Sequence, residues 1–429
     1  MRRLSFIAAL LISFGAAAQT YTLEDCRRLA VLNNVATRTS RGAISISDEQ
    51  EHAAFAGFLP QVSGSLLGFW SPEPMLSLDL SDYGLAEAGN PGSKLEYLQK
   101  GFTAGITVMQ PIYSGGQIAA GHRLSRLGQS VSRMQNVLTE QETALTAERY
   151  YWQVVTLSGK LRTVALADST MSRLRQDVSS AVAHGTRNRN DLLRVELQLN
   201  DNAAERSSLE KGLRLSKRLL AQYIGVRADT LEIALPDDFD ELPPRPVTQG
   251  DISPESGVRY QLISKAVEEK ELNLHLEQGK LLPRLSVGAG YAFDNLFGAP
   301  NNGVMAFGII SIPISAWWGD RHGVKARKIE LENARALRAD QEELLLLEAE
   351  RLRDEVDDAW RHLELAKLSE EAAAENLRIC LDSYNYGLIS MTDLLDAQLQ
   401  YSQSRDDYID AYASLMLKQR EFHYLCTNE

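Results

Sequence analysis

Proline is placed in this chain so that few folds remain open. All thirteen prolines lie within 60–111 and 236–313, and neither 112–235 nor 314–429 contains one. Both proline-free runs are rich in Leu, Ala, Glu, Arg and Gln, the strong helix formers. From Val324 to Glu429 there is a single glycine, Gly387. The frame around it, "YNYGLISMTDLL" (384–395), recurs 202 residues upstream as "VAHGTRNRNDLL" (182–193), setting Gly185 against Gly387 and Asp191 against Asp393. The same shift holds from Pro111/Pro313 to Leu220/Phe422, whereas "FLPQVSGS" (58–65) matches "LLPRLSVG" (281–288) at a shift of 223. The chain therefore reads as a duplication, with 21 extra residues between the two prolines of its first half.

Each half reads as helix, strand, loop, strand, very long helix, tight turn, helix. The first repeat, 19–225, has a helix over 22–58, strands near 61–70 and 102–110, a long helix over 117–183, a turn at 185–190 and a return helix over 191–224. The second, 252–429, has a helix over 255–281, strands near 284–293 and 304–312, a long helix over 319–384, a turn at 387–392 and a return helix over 393–425. Pro60, Pro111, Pro283 and Pro313 mark the helix–strand junctions, and 226–251, with its clustered prolines, reads as an equatorial linker element. In 102–109 and 285–293 apolar residues alternate with small or polar ones, the period of a strand. About nine to ten residues suits a tilted strand in a membrane barrel. An ordinary hairpin on a soluble core is the plainer alternative, but Phe69-Trp70, Tyr113 and Trp317-Trp318 gather at strand ends like an interfacial girdle. Four strands cannot close a barrel and bilayers do not tolerate open sheet edges, so lipid-exposed strands would require several chains.

The first eighteen residues read as a signal peptide: Arg2 and Arg3, an apolar run from Leu4 to Phe14, then Ala16-Ala17-Ala18. Net charge is −12, or −14 without those two arginines, which argues against nucleic acid as a partner. No later apolar run is long enough for a transmembrane helix. Cys26, Cys380 and Cys426 make no disulfide framework and are expected as free buried thiols, although Cys26 and Cys426 could meet if the chain ends pack together. No nucleophile elbow, zinc-protease motif, phosphate loop or Cys/His cluster is present. The expectation is a protein that is not an enzyme, without cofactor or metal.

At 185–191 and 387–393 the long helices must reverse. A glycine after the last turn can take the left-handed conformation that ends a helix, and Asp191 and Asp393 fall where a side chain can cap the returning one. The returning helix carries a heptad seam: Leu394, Tyr401, Tyr408, Leu415 and Phe422, with Leu192, Leu199, Leu213 and Leu220 holding the same places in the first half. At ~1.5 Å per residue, 319–384 would be about 100 Å long.

With "LPQV"/"LPRL" and "QPIYSGG"/"IPISAWWG" at the junctions, and "YGLISMTDLLDAQLQYSQSRDDYIDAYASLMLKQ" (386–419) at the second turn, the chain resembles the TolC-like outer-membrane efflux proteins. The resemblance implies a mainly α fold with membrane β: an internally duplicated protomer of long α-helical hairpins plus four β-strands. It would trimerise into a 12-stranded β-barrel and a 12-helix periplasmic α-barrel. It also implies an outer-membrane exit channel with a periplasmic extension, with outer-membrane lipid, a periplasmic adaptor and an inner-membrane RND or ABC-type pump as partners. Arg187, Asp191, Tyr384, Asp393 and Asp396 would line the periplasmic entrance, and Gly185, Thr186, Gly387, Leu388 and Ile389 would form adaptor-docking tips. The family's gate arginine usually stands in the second half, where this chain has Ile389; here the arginine is Arg187. The position equivalent to Asp396 in the first repeat is Arg194, so symmetry does not demand an acid there. A soluble periplasmic coiled-coil scaffold or adaptor is the alternative reading.

Overall fold

The computed structural model describes residues 19–79, 94–97, 99–234, 241–246, 255, 257–295 and 300–426. The expected signal peptide lies outside these residues, as do 80–93 of the enlarged loop and 235–240 and 247–251 of the linker. The chain divides into two compact units, Ile44–Ser132 with Ile263–Asp340, and Met1–Ala43 with Arg133–Leu262 and Gln341–Glu429.

The first of these is built on a four-stranded antiparallel sheet in the order β2 (Gln61–Trp70), β5 (Lys100–Ser114), β7 (Arg284–Asp294), β8 (Asn301–Ser311). Its register divides the side chains between two faces. Val62, Leu66, Phe102, Ile106, Val108, Val287, Tyr291, Phe293, Val304 and Ile310 share one face. The other face mixes Ser63, Ser65, Thr103, Thr107, Ser286, Gly288 and Gly290 with Leu67, Phe69, Met109, Met305, Phe307 and Ile309. A Cβ on Gly288 would stand 2.6 Å from the Phe307 ring opposite it, so the ring would have to move. The phenyl ring thus covers the bare glycine. Strands β2 and β8 form the two edges, and nearly every residue of both is exposed, Val304 to 81 %.

The expected strand 102–110 runs on to Ser114, so Pro111 is not the helix–strand junction. It sits inside β5 at a bulge, where Pro111 pairs with Ser286 and Tyr113 with Leu285 and Ile112 is left over. A residue with no N–H to give is tolerated where the ladder is already interrupted. The junction itself is Gly115-Gly116, at φ +62° and +77°. A Cβ on Gly115 would lie 2.2 Å from the Gly279 carbonyl oxygen, so the turn after the strand passes backbone to backbone against the end of α5 (Val258–Gly279). Pro60 and Pro283 directly precede β2 and β7, and Pro313 follows β8. The expected loop 71–101 contains a short antiparallel ladder, β3 (Leu76–Asp79) with β4 (Lys94–Tyr97).

The second unit is helical. Its core gathers Cys26, Ala30, Tyr151, Trp152, Val154, Val155, Leu220, Ile224, Leu363, Tyr408, Ile409 and Leu415. They come from α1 (Leu23–Asn33), α3 (Gln117–Ala183), α4 (Arg189–Ile224), α7 (Arg321–Asn385) and α8 (Met391–Cys426). Leu394, Tyr408, Leu415 and Leu220 of the heptad seams are fully buried. The helix expected over 22–58 is broken: α1 ends at Asn34, which is extended (φ −66°, ψ 140°), and α2 (Val35–Phe55) begins afresh. The Asn34 side chain accepts from Ala36 N at 2.9 Å, while Asn33 Nδ2 donates to the Ile224 carbonyl at 2.8 Å. The break serves the end of α4, where Gly225 leaves no room for a side chain beside Asn33. The long helix expected over 319–384 is likewise preceded by a separate turn, α6 (Ala316–Gly319), and starts at Arg321.

A pairing not read from the sequence opens this unit: β1 (Gln19–Tyr21) lies parallel to β6 (Leu231–Ile233). Within the expected equatorial element, 241–246 lies against two helices. Arg245 bonds Asp357 at 2.6 Å and stacks on Trp360, and the Tyr408 hydroxyl donates to the Glu241 carbonyl. None of the three cysteines is in a disulfide; Cys26 is buried as expected, whereas Cys380 and Cys426 are only partly so. Among the described residues no helix is long and apolar enough to cross a membrane.

Candidate functional site

Both hairpin turns end their first helix in the same way. Gly185 and Gly387 hold φ of +72° and +73°, and neither has a neighbour that an added Cβ would meet. In the first turn Thr186 N donates to Ala181 O and Gly185 N to Val182 O; in the second Leu388 N donates to Ser383 O and Gly387 N to Tyr384 O. These pairs satisfy carbonyls that a helix end otherwise leaves open, and the left-handed residue they need is cheapest as glycine. Thr186 adds a bond from its hydroxyl to the Ala181 carbonyl, 2.9 Å.

The returning helices start differently from the expectation. Asp191 does not cap α4; Asn188 does, its side chain accepting from Asn190 N at 3.2 Å, and Asp191 lies in the first helical turn. Asp393 is not the cap of α8 either, but the distal partner of one. Ser390 Oγ accepts from Asp393 N at 3.3 Å, and Asp393 Oδ2 accepts from Ser390 N at 3.0 Å and from Ser390 Oγ at 2.8 Å. The reciprocal pair is a capping box. The Ser390 hydroxyl and backbone N–H hold the Asp393 carboxyl below its ordinary value. Ser390 and Asn188 were missed as caps, although "SMTD" carries the signature that precedes a helix.

Beneath the turns, Met171, Leu174, Val178, Val195, Tyr384, Met391 and Leu394 form one buried cluster from α3, α4, α7 and α8. Tyr384 is 4 % exposed, and Arg187 of the other hairpin closes over it. The guanidinium carbon stands 4.4 Å from the ring centroid, and Arg187 Nη2 donates to the Tyr384 carbonyl at 2.9 Å. The Tyr384 hydroxyl is buried without a hydrogen-bond partner. Burial raises its phenol above the ordinary value, Arg187 opposes and Asp191 reinforces. A second crossing bond runs from Arg194 Nη1 to Thr392 Oγ1, 2.8 Å. The structure thus brings Arg187, Asp191 and Tyr384 together. Asp393 faces its own serine, and Asp396 is exposed further along α8. Ile389 packs on the buried cluster, whereas Leu388 is 76 % exposed beside the still more open Tyr386.

Residues 264–421 match the family of outer membrane efflux proteins. Over 399 residues the chain is 23 % identical to the outer membrane efflux protein BepC of Brucella suis, covering 90 % of this chain and 80 % of that protein. Its fold is similar to the CmeC outer membrane channel of Campylobacter jejuni (TM-score 0.75, 14 % identity, 95 % of this chain and 85 % of that one). It is equally similar to the outer membrane protein VceC of Vibrio cholerae (TM-score 0.74, 14 % identity, 95 % and 97 %).

Proposed function

We propose, for a chain similar to the outer membrane efflux proteins, that it is the outer-membrane exit channel of a tripartite efflux or type I secretion system. It would conduct substrate passively, with energy supplied by an inner-membrane RND or ABC-type pump. The observation that carries this reading is the sheet. One face carries exposed apolar side chains on all four strands, the other mixes serine, threonine and glycine with larger apolar residues, and both edges are open. Such a face suits lipid, and the open edges call for further strands. Three copies would supply twelve.

The exposed stripe of α4 supports self-association of the helical part. Leu193, Leu197, Leu215 and Leu219 are exposed and, with Ala204 and Ser208, recur every eleven residues along one stripe of the helix. In a homotrimer the two repeats of each chain would give the twelve-helix tunnel. The exposed tip residues around Gly185, Thr186, Gly387 and Leu388, with Ile389 beneath, would meet the periplasmic adaptor. Asp191, Asp393 and Asp396 would face the entrance, with Asp393 and Asp396 making two carboxylates per chain that favour cations.

Purification from the outer-membrane fraction as a detergent-requiring trimer that dissociates on heating is the expected result. A monomer soluble without detergent would return the soluble coiled-coil scaffold to first place. In planar bilayers, Asp393→Asn/Asp396→Asn should lose cation selectivity; unchanged selectivity would remove those residues from the entrance.

A further inference from the structure

Helix α8 carries a carboxylate that none of this uses. Asp406 is half-buried, and its Oδ1 is shut off from solvent with no hydrogen-bond partner. The charges acting on it are Lys160 from α3, Glu205 from α4, and Asp407 and Asp410 from α8 itself. Lys160 is already bonded to Asp410 at 2.7 Å, leaving Asp406 among three other acids with no cation of its own. The helices are close here: a Cβ on Gly159 of α3 would stand 2.9 Å from Ile409 Cδ1, and Ile409 is fully buried. The contrast lies across α8, where buried Glu370 of α7 has two cations, Arg405 at 2.6 Å and Lys367 at 3.1 Å. One side of α8 is neutralised and the other is not.

We propose that Asp406 makes the packing of α8 on α3 and α4 proton-responsive, the neutral carboxyl being accommodated in the joint and the carboxylate loosening it. Burial pushes the Asp406 carboxyl up to about 6 from 3.8, with Lys160 opposing and Glu205, Asp410 and Asp407 reinforcing. A carboxyl raised in the folded state binds its proton more tightly there than in the unfolded chain. Its contribution is therefore greatest at acid pH and is lost as pH rises from about 3.8 through about 6. The inference concerns helix packing within one chain, so it stands or falls separately from conduction.

The test is hydrogen exchange of the full-length protein in detergent at pH 5.0 and 7.5, corrected for intrinsic exchange rates, with Asp406→Asn alongside. Amides of 402–412 in the wild type should lose several-fold protection at the higher pH, and Asp406→Asn should be equally protected at both. Should that variant not fold, Glu205→Gln is expected to move the wild-type transition to lower pH if Asp406 binds the proton; loss of the transition would mean that Glu205 binds it, which overturns the assignment. Equal wild-type protection at the two values, or an unaltered transition in Asp406→Asn, would also overturn it.

Discussion

The two hairpin turns have one backbone and two chemistries. Gly185 and Gly387 agree within a degree in φ and close the same pair of hydrogen bonds. Yet the first returning helix is capped by Asn188 alone, and the second by the reciprocal Ser390/Asp393 pair. The first turn sends Arg187 outward onto its neighbour's Tyr384, while the second exposes Tyr386 and Leu388. A reversal of the chain needs a left-handed residue and a cap, and several residue types can supply the cap. Side chains beyond that requirement are free to differ, and at these turns they do.

The sharpest way to break this comparison is at the buried cluster that both turns share. Tyr384→Ala empties the buried cluster shared by both, and should cost roughly 3–5 kcal/mol of local stability by analogy with other aromatic truncations. Exchange protection should fall in α3 and α4 as well as in α7 and α8; a loss confined to α7 and α8 would mean that the hairpins are held separately. Gly185→Ala and Gly387→Ala should each cost about 1–2 kcal/mol, since nothing crowds the added methyl and only the left-handed backbone resists it. Equal losses in thermal midpoint sharpen the comparison, and a twofold inequality breaks it.

Arg187→Ala should cost about 1 kcal/mol through the stacked guanidinium and its bond to the Tyr384 carbonyl, and Arg187→Lys should recover only part, because the planar stack is lost. The caps come last: Asn188→Ala and Ser390→Ala should each lose about 1 kcal/mol or less. They should differ in pH dependence. Asp393 is held below its ordinary value by Ser390, so its contribution is present above about 3.8 and disappears as pH falls through the lowered value. Ser390→Ala should flatten that acid-side loss in a thermal melt, and Asn188→Ala should leave it intact.

Much of this was legible because it is local. Proline-free runs, a left-handed glycine and a period-two alternation act over a few residues, so the long helices, the turns and the strands β2 and β7 could be read directly. Where the reading failed, a distant partner had decided the matter. Asn34 ends a helix because the end of α4 needs the Asn33 side chain, 191 residues away in sequence. Pro111 stays in a strand because the register with Ser286 and Leu285 leaves a bulge there.

The sequence by itself determined where the chain runs straight and where it reverses, since backbone preferences of proline, glycine and helix-forming residues need no partner. Only the tertiary structure decided which charges are compensated. Arg187 over Tyr384, and Asp406 left among acids while Glu370 receives two cations, depend on which helices lie side by side. Electrostatic energy follows distance and burial, and neither is written in the spacing of residues along one helix.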